Sequence, residues 1–394
     1  MFSSFNKTLD RRSTNSIKWN AFPEDVLPMW VADMDFPAPK PILDALRAIV
    51  DHGVLGYEDP LASLMGNVVK RMRRLYGWEI IGEDVIPIPG LVTGFNVAAR
   101  ITCRPDNGGI LVQPPVYYPF LSVPENTDTV QQMAELKKVI HGRTLHYEVD
   151  WDVFESAIHS KGARTRMFLL CHPHNPTGTI YSKIELARMA QICEQEDIII
   201  CSDEIHSELI LDRKQHKPMA MTSSVAAQRT ITLIAASKTF NIAGLSMGFA
   251  IIQNPELRKK FTKELEKLAL YTNSFGQTAS QVAFSEACDP WLEELLAYLT
   301  ENRDFVVDYV KKNLPGIRVS VPDATFLAWL DCGELIERGK IKGSLHKFFV
   351  ERGKIALNEG ASFGPGGNGF VRLNFGCPRD TLIKGLERIR VALA

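Results

Sequence analysis

The chain has 394 residues, 45% of them apolar and 23% charged, with a formal net charge of -1. That balance fits a globular protein of more than one domain. It carries no electrostatic footprint for nucleic acid or for an anionic membrane surface, so neither is expected as a partner.

Seven cysteines at 103, 171, 193, 201, 288, 332 and 377 are odd in number and form no CxxC pair. This argues against a disulfide framework and a structural zinc site. The opening MFSSFNKTLDRR has no apolar signal core, and no apolar run approaches a bilayer span, so the chain reads as cytosolic. The most basic stretch, KRMRR at 70–74, reads as a solvated helix face.

In chain order, IPIPG followed by LVTGFNVAARI predicts a turn into a helix, with Thr93 as its N-cap and Gly94 allowing close approach. Apolar runs at 108–113, 166–171, 197–202, 231–237 and 248–252 read as buried strands, and 182–196 reads as a helix between two of them. Continuous apolar strands interleaved with helices indicate a largely parallel sheet covered on both faces, with ligands expected beyond the carboxyl ends of its strands. The stretch 289–314 predicts a long helix with Asp289 as N-cap and Pro290 at its first position. After it, ATFLAWLD and GFVRLNF read as strands, and a helix closes the chain from about Asp380. Residues 50–288 are therefore expected to form a large α/β domain, and 1–49 with 289–394 a smaller α+β domain.

Four special residues or turns follow strands in the large domain. The turn around Val92, Thr93 and Gly94 opens a helix whose first N–H groups suit phosphate. HPHNPTG (172–178) presents Asn175 as a neutral donor, DEIHSE begins with Asp203, and SKTFN carries Lys238. Pyridoxal 5'-phosphate needs this combination. A lysine forms a Schiff base with its aldehyde, and a carboxylate keeps its ring nitrogen protonated. A neutral donor meets its 3-oxygen, and amides and hydroxyls, Ser237 among them, hold its phosphate. GPGGNG (364–369) matches G-x-G-x-x-G, but it leads into the strand FVRLNF rather than a helix, so it is no dinucleotide site. His172, His174, Asp203 and His206 lack the spacing of helical metal ligands, and no metal is expected.

SKTFNIAGL, HPHNPTG, SDEIH and RLNFGCPR together resemble the motifs of fold-type-I pyridoxal-phosphate enzymes of the aminotransferase class I/II superfamily. The opening DRRSTNSIKW…VLPMWVADMDFPAPKPI resembles the cystathionine β-lyase-like carbon–sulfur lyases, the MalY/PatB type. The resemblance implies a mostly parallel seven-stranded sheet between helices, with a smaller α+β domain. It places Tyr117 on the pyridine ring and Tyr57 at the phosphate of a neighbouring subunit's cofactor, hence a homodimer with sites at the interface. Arg372 would hold the substrate α-carboxylate, helped by backbone at Val31 and Ala32. His206 stands where many aminotransferases carry a tyrosine near the 3-oxygen. Ala235 and Ser246 stand where a serine and an arginine commonly contact phosphate.

The activity implied is β-elimination from L-cystathionine or a related cysteine thioether, giving a thiol, pyruvate and ammonia, with Lys238 as the base. A transaminase would use the same Lys238 and Asp203. A non-catalytic regulator is opposed by the presence of Lys238, Asp203 and Arg372 together.

Overall fold

Apolar strands that bury their side chains take their backbone groups out of water, and those groups pair with one another in a sheet at the centre of the chain. In a computed structural model the described residues are 5–60, 62–160 and 162–394; residues 1–4 of the N-terminal segment lie outside them. The sheet has seven strands in the order Val85–Ile88, Gly248–Ile251, Thr230–Ile234, Ile199–Asp203, Thr165–Cys171, Gly109–Val112 and Val130–Met133. The last five are mutually parallel. Gly248–Ile251 runs antiparallel to both of its neighbours. Gly109–Val112, Thr230–Ile234 and Gly248–Ile251 are buried throughout, as strands covered by helices on both faces must be. One covering helix, Lys183–Gln195, starts at Ser182, which exchanges hydrogen bonds with Glu185 in a capping box.

A second sheet of six strands runs Asn358–Glu359, Phe370–Asn374, Leu327–Asp331, Arg318–Ser320, Thr144–Glu148 and Lys137–His141. Its last two strands form a hairpin that the sequence assigns to the large domain, yet they extend the sheet built from the C-terminal third. Lys137–His141 is mostly exposed and carries no apolar alternation, so nothing in its composition announces a strand. The N-terminal segment joins this part of the fold through Leu27–Pro28, which pairs in parallel with Ile355–Ala356. Among the described residues no helix is long and apolar enough to cross a membrane, and all seven cysteines are buried thiols.

The helix Asp289–Asn313 begins directly from a short 3-10 turn, Glu286–Cys288. Cys288 occupies the cap position there, so Asp289 is not the N-cap and Pro290 is the second helical residue. The Asp289 carboxylate is used elsewhere: it pairs with Arg71 at 3.0 Å and Arg74 at 2.6 Å. The KRMRR stretch is likewise only partly a solvated face. Arg71 on the helix Ala62–Tyr76 is buried and also grips Glu208, its Nε lying 2.9 Å from Oε1. Removing Arg71 leaves the Glu208 carboxylate, 8% exposed, without its partner, while Asp289 keeps Arg74; breaking a buried pair in this way costs about 3–5 kcal/mol. Arg71→Ala should therefore lower unfolding free energy by that amount in urea titrations, whereas Arg73→Ala, on the exposed side, should change it by less than about 1 kcal/mol. Equal effects would contradict the assignment.

Candidate active site

The carboxyl ends of the parallel strands open into a cavity of about 360 Å³. Its wall includes Val31, Ala32, Val92, Tyr117, Asn175, Asp203, His206, Ser237, Lys238 and Arg372. Ten of the twelve residues singled out in the sequence thus meet in one place.

Lys238 lies in a short helical turn, Ala236–Thr239, that follows the strand Thr230–Ile234. Its Nζ donates to the carbonyl of Ala32 at 2.7 Å. Burial, with the Arg372 guanidinium adding repulsion, brings its amine down to about 8, although Asp33 and Asp203 pull the other way. Asp203 ends the neighbouring strand and is 4% exposed. Burial pushes its carboxyl up to about 7, against a hydrogen bond from the Ile205 N–H at 3.1 Å and the charge of Lys238. His206 is buried, and its Nδ1 has no hydrogen-bond partner. Burial and the charges of Lys238 and Arg372 lower it to about 3, so the ring is neutral at physiological pH.

Asn175 and Arg372 reach the cavity from different sheets. Arg372, on Phe370–Asn374, donates from NH1 to Asn175 Oδ1 at 2.9 Å and from NH2 to the Trp30 carbonyl at 3.1 Å. Its Nε has no partner, and its guanidinium lies 5.0 Å from the centre of the Phe363 ring. No carboxylate faces it in these bonds, and burial lowers it to about 10, so it remains a cation awaiting an anion. Because Arg372 occupies Oδ1, the Asn175 amide is oriented with its NH2 free to donate. Tyr117 is fixed through its backbone N–H, which donates to the Asn175 carbonyl at 3.0 Å.

The helix after IPIPG is Leu91–Thr102, and its cap is Gly90 at φ 91°, not Thr93. Thr93 is the third helical residue; its hydroxyl donates back to the Pro89 carbonyl at 3.2 Å, and its side chain is not part of the cavity wall. Gly94 serves packing rather than ligand approach, since a Cβ there would come within 2.7 Å of Ile88 Cδ1. The first turn still presents free N–H groups at the cavity, beside Gly90, Leu91 and Val92. Tyr57 is fully exposed, in the irregular stretch 53–60, and lies away from this cavity. His172 and His174 turn inward instead, to the carbonyls of Lys217 and Gln113.

The sequence reading missed Trp30, Tyr118 and Asn358, all of which line the cavity. Asn358 is brought there by strand pairing directly opposite Arg372, a register that no local pattern encodes.

These residues fit pyridoxal phosphate on their own terms. Asp203 is a buried carboxylate with one hydrogen bond from the protein, which calls for a cationic group such as a protonated ring nitrogen. Ser237, Ser246 and the free amides of the helix start make an anion cradle in which the Ser246 backbone takes the left-handed φ of 47°.

Comparison with known proteins agrees with this geometry. The family model for aminotransferase class I and II matches residues 25–389. The chain is 36% identical to the cystathionine β-lyase PatB of Bacillus subtilis (strain 168), across 99% of this chain and 100% of that one. Among solved structures, it is similar to the pyridoxal-phosphate-bound C–S lyase from Staphylococcus hominis, with a TM-score of 0.91 and 30% identity over 99% of this chain and 98% of that one. It is equally similar to cystalysin from Treponema denticola, which contains pyridoxal 5'-phosphate: TM-score 0.91 and 30% identity over 100% and 99% of the two chains. The chain belongs to the aminotransferase class I and II family, and its cofactor is pyridoxal 5'-phosphate.

Proposed function

We propose that the protein is a carbon–sulfur β-lyase that cleaves L-cystathionine or a related cysteine thioether to a thiol, pyruvate and ammonia. The observation that carries it is the half-buried Lys238, its amine held by the Ala32 carbonyl in one cavity with Asp203 and the anion-seeking Arg372. The full-length similarity to a cystathionine β-lyase supports elimination over transamination.

Bound pyridoxal phosphate supplies an aldehyde for the lysine amine and a ring that withdraws electrons from the substrate Cα. Arg372 grips the substrate α-carboxylate with its forked N–H groups, replacing the neutral partners it now holds. Asp203 would hold a proton on the ring nitrogen, and that cation would keep the carboxylate ionised. Asn175 would donate its NH2 to the ring 3-oxygen, and neutral His206, in the same cavity wall, would not compete for charge. With the cofactor bound, the free Lys238 amine would take the proton from Cα. The electron pair left at Cα would form a Cα–Cβ double bond as the Cβ–S bond breaks with its own pair on sulfur; the thiolate would take up a proton, and water would hydrolyse the remainder to pyruvate and ammonia.

We further assign Tyr57 to a second copy of the chain. It sits with Val50, Val54 and Leu55 in an exposed apolar strip that a monomer would leave wet. A homodimer that covers this strip would carry Tyr57 to the partner's phosphate. The division at about residues 50 and 288 then separates the cofactor-holding part from the part that brings Arg372. Seven buried thiols suit a reducing, cytoplasmic location.

Purified protein given L-cystathionine without any keto acid should release pyruvate continuously. Release only with an added keto-acid acceptor would instead identify a transaminase. The lysine gives a second test. At pH 7.5 an amine with a pKa of about 8 is roughly one-quarter neutral, against about one in a thousand for an ordinary lysine. Since only the neutral amine attacks an aldehyde, capture of pyridoxal phosphate by apoprotein should accelerate with rising pH and level off above a midpoint near 8. A midpoint near 10 would contradict the lowered amine.

A further inference from the structure

The segment 30–36 crosses the cavity mouth without belonging to a helix or strand, so its backbone groups need partners from elsewhere. Side chains supply them. The Trp30 carbonyl accepts from Arg372 and the Ala32 carbonyl from Lys238. The carbonyls of Val31 and Asp33 both accept from Asn374 Nδ2, each at 2.6 Å. Those of Met34 and Phe36 accept from Asn241 Nδ2 at 2.9 and 2.7 Å, and the Met34 N–H donates to Asn241 Oδ1 at 2.9 Å. Behind the segment, Arg11 and Lys18 pair with the carboxylates of Asp33 and Asp35.

The two asparagines are placed alike. Asn241 lies three residues beyond Lys238, at a left-handed φ of 56° that asparagine tolerates better than most residues. Asn374 lies two residues beyond Arg372 on one strand, so both side chains leave the same face. Its Oδ1 accepts from the Gly376 N–H at 2.7 Å, which completes the amide's hydrogen bonds. Only a primary amide offers two donors and an acceptor at such a point.

We infer that Asn241 and Asn374 are positioning residues, which fasten the lysine turn and the arginine strand to one shared backbone segment. Through that segment the lysine, which takes the Cα proton, and the arginine, which takes the carboxylate, keep a fixed relation across the cavity. Asn241 serves the lysine side of the pair, and Asn374 the arginine side. This rests on the roles of Lys238 and Arg372 proposed above.

The test uses two readouts that do not require lyase activity: the pH midpoint of pyridoxal-phosphate capture by apoprotein, and the Kd of L-alanine read from the visible spectrum of the holoprotein. Asn241→Gly keeps the backbone conformation and removes the amide. It should admit water to Lys238 and raise the capture midpoint by about half a unit or more, with Kd changed less than about twofold. Asn374→Ala should weaken L-alanine about tenfold with the capture midpoint unmoved, and Asn374→Ser, which restores one donor, should recover part of that loss. Asn241→Asp and Asn374→Ser carry the test if the first variants fail to fold. Folded variants with lower thermal stability but neither shift, or with both readouts moved equally at both sites, would overturn the inference. A wild-type protein that fails to capture the cofactor at all would instead overturn the underlying roles.

Discussion

An ammonium group largely desolvated in a cavity, with a backbone carbonyl as its hydrogen-bond partner, is an expensive arrangement, and the rest of the site depends on it. Lys238 donates to the Ala32 carbonyl, with a guanidinium in the same cavity and carboxylates near enough to moderate its charge but not bonded to it. The balance leaves an amine that gives up its proton close to neutral pH. A well-paired lysine would be more comfortable and chemically useless here, because a nucleophile and base must be available without its proton.

The fold delivers this environment by topology. Parallel strands all end on one side of the sheet, so Asp203 and the turns carrying Asn175 and Lys238 arrive together without being close in sequence. Arg372 comes from a different sheet and meets Asn175 at 2.9 Å. That bond does more than join two parts of the molecule. It sets which end of the Asn175 amide faces the cavity, and it occupies a cation that the substrate carboxylate can claim. In the roles we propose, the cofactor donor and the substrate cation are thus arranged as one unit before either ligand arrives.

Much of this was legible in the sequence because strand-end residues announce themselves. Lys238, Asp203 and Asn175 each follow a continuous apolar run and break its pattern with a polar group or turn, which marks both the strand and its functional end. What was not legible depended on backbone geometry or long-range pairing. Thr93 has the chemistry of a cap, but the chain turns three residues earlier at Gly90, whose positive φ precedes the helix. Arg71 sits in a run of basic residues and looks solvated until the helix rotates it inward onto Glu208 and Asp289. Asn358 reaches the cavity only through its register opposite Arg372, and the hairpin 137–148 joins the second sheet without any apolar alternation to predict it. Tyr57, which we assign to a contact between copies, stands in solvent in the single chain.

We assign the amine that holds the cofactor to Lys238 and to no other lysine. Reduction of the pyridoxal-phosphate-loaded protein with borohydride, followed by proteolysis and mass spectrometry, tests it directly. The account predicts one phosphopyridoxyl group per chain, on the peptide containing Ser237–Lys238–Thr239. Modification of a different lysine, or full loading without any reducible bond at Lys238, would contradict it.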